Sequence, residues 1–150
     1  MTISAAGVEE LQALGKLAYA FVLAMPVGWY REKEEHAIGV RTFPLVAMAS
    51  CGYVLLGTDP LGPTDQARII QGLVAGIGFI GGGAILKGRG SLVHGTATAA
   101  SIWTFGVVGA AVAQGRYLMA FTLALLNLFT LRVLMPWKQK LDGPAEHAQK

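Results

Sequence analysis

The sequence predicts an all-α integral membrane protein whose five transmembrane helices pack around a glycine-rich third one. Three observations carry this expectation. The 150 residues are 53% hydrophobic and only 14% charged, with a mean hydropathy of +0.51, the balance of a membrane protein rather than a soluble domain. The apolar residues fall into five runs, most of them near the roughly 20 residues needed to cross about 30 Å of hydrocarbon. At the centre lies RIIQGLVAGIGFIGGGAIL, residues 68–86, with no charge after Arg68 and Gln71 as its only strongly polar side chain.

That central run fixes the reading. Each interior glycine costs a helix in water about 1 kcal/mol relative to alanine. In a bilayer the backbone must satisfy its own hydrogen bonds, so a helix forms despite its glycines. Gly72/Gly76 and Gly78/Gly82 are two GxxxG pairs, which leave flat strips for another backbone. These four are the predicted helix-packing residues. The stretch from Gly76 to Gly81 also matches GxGxxG, but a dinucleotide site needs a preceding strand and an open helix N-terminus. Here the pattern lies inside a continuous apolar run, so packing explains it.

In chain order, the first predicted span covers residues 11–29. Lys16 near its start reaches toward an interface with its long stem, and Trp29 and Tyr30 sit where aromatic belts form. The N-terminus carries Glu9 and Glu10 and lacks the positive n-region of a signal peptide, so this span is expected to stay in place. A mixed-charge loop, Arg31 to Arg41, leads to the second span at 42–57. The next loop, TDPLGPTDQA, is rich in turn formers. The glycine ladder makes the third span, 69–86, and a short basic loop containing Lys87, Arg89 and His94 follows. The fourth span, 95–114, is full of small residues. Gly115-Arg116 turns the chain into the fifth, 117–135, and Pro136 stops it. One membrane domain therefore covers residues 1–140, with a short polar tail at 141–150.

Five spans place the termini on opposite sides. Arg31, Lys33, Arg41, Lys87, Arg89, Arg132, Lys138 and Lys140 lie on one side, against Lys16, Arg68 and Arg116 on the other. The excess of Lys and Arg marks the cytoplasmic side, so the N-terminus is outside and the C-terminus inside. This asymmetry also accounts for the net charge of +3. Scattered loop charges do not make a nucleic-acid surface.

Chemistry, if any, would come from few residues. The fourth span carries Thr96, Thr98, Ser101 and Thr104 among alanines and glycines. Such hydroxyls either bond back to their own helix and tie helices together, or face the glycine ladder and line a small polar cavity. Glu32, Glu34, Glu35 and His36 crowd the first loop, yet neighbouring residues on a helix point apart, and a metal site needs convergent ligands. They read as a solvated surface. Arg41, Thr42 and Arg68 sit at interfaces, where arginines snorkel or meet a headgroup. Asn127 is the one mid-membrane amide and reads as an interhelical hydrogen bond. The single Cys51 offers no disulfide and reads as a packing residue. No acid lies in the middle of a span, as ion pathways usually require, and no nucleophile–base pair is present. Neither enzyme activity nor a metal or cofactor is expected.

Three ordered motifs, REKEEHAIGVRT, then Arg68 ahead of GIGFIGGGAIL, then HGTATAASIWTFGVVGAA, resemble the MgtC/SapB family of bacterial inner-membrane proteins. The resemblance implies a five-span membrane domain. Its motif positions fall here on Arg31, Glu32, Gly39, Arg41, Thr42, Arg68, Gly76, Gly78, Phe79, Gly81, Gly83, Gly95, Thr98, Ala99, Ala100, Ser101 and Trp103. Departures stand at Tyr30, where the family often has glutamate, and at Thr96 and Ala97. The soluble C-terminal domain of longer members has no counterpart in these residues. The resemblance implies a link to low-magnesium adaptation and virulence, with members acting as regulators of other membrane machinery.

Two functions stay open on this reading. One is a non-enzymatic, multi-pass inner-membrane regulator acting by helix–helix contact, with the lipid bilayer, a second copy as homodimer, or a membrane protein complex as partners. The other is a small transporter or channel for an ion or small solute.

Overall fold

The computed structural model describes residues 5–33, 39–57, 63–87 and 93–134. Its elements are α1 (Ala5–Lys33), α2 (Thr42–Leu56), α3 (Pro63–Gly83), β1 (Leu86–Lys87), β2 (Val93–His94), α4 (Thr96–Ala113) and α5 (Tyr117–Phe129), which widens into a π-helical turn at Thr130–Leu134. The described part is thus helical but for one two-residue antiparallel ladder, in which Leu86 pairs with His94 and Lys87 with Val93.

The helix ends follow from local chemistry. Arg31 and Lys33 occupy the last turn of α1, where cations meet the negative end of the helix dipole. Helix α3 opens on Pro63 with Asp65 in its first turn, both favoured there. It stops at Gly83, so Leu86 leaves the span predicted at 69–86 and enters the ladder. At the other end the predicted loop residues Thr64 to Ala67 are helical. Gly95 joins the ladder to α4 at φ 91°, a left-handed conformation that favours glycine. A Cβ there would also strike the carbonyl of Ala84.

The expected centre of the bundle is corrected by burial. The helix the others surround is α4, which touches α1, α2, α3 and α5 and has eleven of its eighteen residues buried. Over residues 64–83 of α3 only Ile77 and Gly81 are buried. The reason lies in α4's own glycines. A Cβ on Gly109 would run into the Ala47 carbonyl and lie 2.9 Å from Ser50 Cβ, and one on Gly106 would strike Ile77 Cδ1. Backbones approach closely where α4 crosses α2. In contrast, Gly72, Gly76, Gly82 and Gly83 have nothing within 4 Å of a built Cβ.

The core lies between α2 and α4. Phe43 and Phe105, both fully buried, meet edge-to-face with ring centroids 5.6 Å apart, a favoured aromatic geometry. Cys51, farther along α2, is also buried as a small packing residue. Among the described residues three helical stretches are long and apolar enough to cross a membrane: Ala6–Lys33, Thr96–Ala113 and Tyr117–Leu134. Helix α2 is apolar but has 15 residues. Helix α3 is not among the three, since its first turns are polar. The expectations for Glu34, Glu35, His36, Arg89, Lys138, Lys140 and the tail at 141–150 fall outside the described residues.

Candidate functional site

The polar side chains of the bundle gather where α1 and α5 end and α4 begins. Arg31, expected to open the first loop, lies instead in the last turn of α1 and is 1% exposed. Its guanidinium donates to Oγ1 of Thr98 on the first turns of α4. A charge this deep is costly unless hydrogen-bonded, and the small residues of α4 leave the space it fills. Beside it, the Tyr30 hydroxyl donates to the Leu131 carbonyl at 3.4 Å. Leu131 lies in the π-helical turn, whose i→i+5 pattern would pair that carbonyl with residue 136. Residue 136 is proline, which has no N–H to give.

Glu32 turns the other way. Its carboxylate accepts from the Val40 N–H at 3.1 Å, just ahead of α2, where the Gly39 carbonyl accepts from Thr42 N–H at 3.1 Å. A side chain at Gly39 would collide with that carboxylate, and one at Gly28 would lie 2.9 Å from Val40 Cα. Adjacent residues thus clasp two helices, Arg31 holding α4 and Glu32 holding the entry to α2.

Thr98 and Ser101 do not share a face toward the ladder. Ser101, buried at 3% exposure, donates to the Ala97 carbonyl at 2.9 Å, and Thr104 donates to Ala100 at 3.0 Å. Both line a pocket of about 280 Å³ against Asn127 and Thr130 of α5. Asn127, expected to bond between helices, instead leaves Oδ1 buried with no partner among the described residues. What faces the ladder is Trp103, whose indole lies 3.8 Å from Cβ positions built at Gly78 and Gly81.

The remaining predicted positions stay apart from this gathering. Arg41 is exposed and Thr42 opens α2. Arg68 is exposed and pairs with Asp65 of its own helix at 3.7 Å. Phe79 is 85% exposed. Among the described residues no group of three or more His, Cys, Asp and Glu side chains could hold a metal. Sequence reasoning passed over Thr130 and the Tyr30–Leu131 contact. A π-helical turn has no sequence mark beyond Pro136 five positions after Leu131.

Comparison with known proteins decides the family. The profile of the MgtC family matches residues 17–140. This chain belongs to the MgtC family. Its relatives include the protein SapB of Bacillus subtilis, 29% identical over 86% of this chain and 59% of that protein. The protein MgtC of Brucella abortus is 32% identical over 86% of this chain and 54% of that one. The protein SrpB of Synechococcus elongatus is 32% identical over 77% of this chain and 71% of its own length. The chain spans little more than half the length of SapB and MgtC. No solved structure matches it. Arg31, Glu32, Gly39, Thr98 and Ser101 all lie inside the stretch matched by the MgtC family, and the family membership together with the long apolar helices makes this a membrane protein.

Proposed function

We propose that this MgtC-family chain is a non-enzymatic, multi-pass protein of the bacterial inner membrane, N-terminus outside, that regulates through helix–helix contact with itself or with a partner membrane complex. The observation that carries this reading is the open glycine strip of α3. Gly72 and Gly76, four residues apart, have nothing within 4 Å of a built Cβ, while their helix packs against α4 through Gly81 and Ile77. Glycines spaced by four on an uncovered face let a second backbone come close. The tie to low-magnesium adaptation rests on the family resemblance alone.

Cysteine crosslinking in native membranes tests it. Leucine at Gly72 or Gly76 should abolish association while leaving the thermal stability of the isolated chain unchanged. Association and phenotype that survive both substitutions would overturn the reading. Purified protein in liposomes provides the opposing measurement. Protein-dependent flux of Mg²⁺, protons or small anions, lost in Thr98→Val, would replace regulation by transport.

A further inference from the structure

Lys16 is held at the level of a membrane surface. Helices α4 and α5 both lie in stretches long and apolar enough to cross, and only Gln114, Gly115 and Arg116 join them, so that turn stands at the edge of the hydrocarbon. The Lys16 ammonium donates to the carbonyl of Ala113, the last residue of α4, at 2.8 Å. Its long side chain is thereby fixed beside the turn instead of trailing into solvent. Close by, the Tyr19 and Tyr117 rings meet edge-to-face with centroids 5.6 Å apart, at the depth where aromatic belts form. Both rings line a hollow of about 480 Å³ together with Gln12, Gly15 and Lys16. Tyr117 also borders a neighbouring hollow, which Arg116 helps to line.

The charge of this corner has one sign. An ammonium carries three N–H donors, and the Ala113 carbonyl takes one of them. Neither Lys16 nor Arg116 pairs with an acid among the described residues. Glu10 and Glu9 precede Lys16 on α1 by six and seven residues, about 9–10 Å of helical rise. The start of α5 has no side-chain cap and adds the positive end of its dipole. The negative end of α4 is already met by the Lys16 ammonium itself. An anion suits this set. Phosphate oxygens can accept from the N–H groups left on Lys16, and Gln12, one turn farther out on the same side of α1, offers an amide NH2. Arg116 brings paired N–H groups with the spacing that a phosphate takes. The remaining wall decides between a free ion and one that carries a chain. It consists of the two tyrosines and Gly15, and Leu118, 81% exposed, and Met119 extend the apolar surface beside Arg116. Such a surface suits an acyl chain.

From this geometry we infer that the hollow between α1 and the α4–α5 turn binds the phosphate headgroup of an anionic phospholipid, with Lys16 and Arg116 as its cationic contacts. The site stands apart from the α3 strip. The test reads thermal unfolding of the full chain, purified in dodecyl maltoside, with dioleoylphosphatidylglycerol added. Dioleoylphosphatidylcholine, of the same chains but with a choline cation beside its phosphate, and inorganic phosphate are the comparison probes.

Phosphatidylglycerol should raise the melting temperature by about 3 °C or more, as a ligand of the folded state does, and the other two probes should not. Each variant is read against its own lipid-free baseline. Lys16→Met and Arg116→Gln should each remove most of the shift. Lys16→Arg should keep it, and so should Arg68→Gln, whose base lies on another helix and pairs with Asp65. Arg116 is exposed, so its variant carries the test if Lys16→Met does not fold. The inference is overturned by no shift with phosphatidylglycerol, by an equal shift with phosphatidylcholine, or by a shift with inorganic phosphate alone. It is overturned equally by a shift that survives both Lys16→Met and Arg116→Gln, or that falls as far in Arg68→Gln.

Discussion

The Arg31 guanidinium donates to the Thr98 hydroxyl, joining the end of α1 to the start of α4 across sixty-seven residues of sequence. Both partners are nearly inaccessible, so this is a hydrogen bond from a charged group in low dielectric, the kind that contributes most when made and costs most when broken. Thr98→Val keeps the volume and removes the acceptor. It should destabilise the fold by about 1–3 kcal/mol, read as a lower melting temperature in detergent, while Thr98→Ser should restore most of it. An unchanged Thr98→Val protein would mean that the bond contributes nothing.

Glycines on α3 and α4 should answer oppositely to alanine. Gly109→Ala pushes a methyl into the Ala47 carbonyl and against Ser50, and forcing backbone apart should cost about 1–3 kcal/mol or more. Gly72→Ala and Gly76→Ala add a methyl to open space and should leave the isolated chain unchanged or stabilise it by up to about 1 kcal/mol. Melting curves of the three variants side by side make the comparison. Equal losses would show that α3 is covered within one chain.

Lys16 Nζ donates to the Ala113 carbonyl at 2.8 Å, placing a cation at the C-terminal end of α4. Charge of this sign on a helix C-terminus contributes roughly 0.3–2 kcal/mol, more when partly buried. Lys16→Met should lower stability by that order, and Lys16→Arg should keep most of it. The difference should shrink little with added salt, since the amine is half-buried and screened less than a surface charge.

Glu32 and Gly39 form one unit. Gly39→Ala would displace the Glu32 carboxylate, and Glu32→Ala would leave the Val40 N–H without that acceptor. Each should cost about 0.5–2 kcal/mol, as loss of a helix cap does, and the double variant should cost little more than either alone. Strict additivity in that double-mutant cycle would show that the two do not share a function.

Much of the architecture can be read from composition and run length. Helix α2 begins and ends within a residue of the expected span, because an apolar run bounded by Arg41 and Gly57 has little freedom in its limits. Burial order is another matter. The glycines of α3 announce that a backbone could come close, but spacing says nothing about whether that backbone belongs to the same chain. Arg31 reads with its charged neighbours as loop, since sequence composition describes a window, whereas its burial is decided by α4 more than sixty residues away. The hydroxyls of α4 were legible as self-bonding. Which neighbour they face was not, because Thr98 meets α1 while Ser101 and Thr104 meet α5, and only the packed rotation of the helix sorts them.

The wide turn at Thr130–Leu134 takes up one residue more than ordinary helical pitch would hold. Five residues wound this loosely turn the chain about as far as four wound as an α-helix. Losing one of them would therefore let the segment tighten while its flanks kept roughly the same side toward the bundle. What would go is the widened backbone that offers the Leu131 oxygen to Tyr30, so a lesion of one codon there would cut a single tie between the first and last helices and leave the rest of the packing in place.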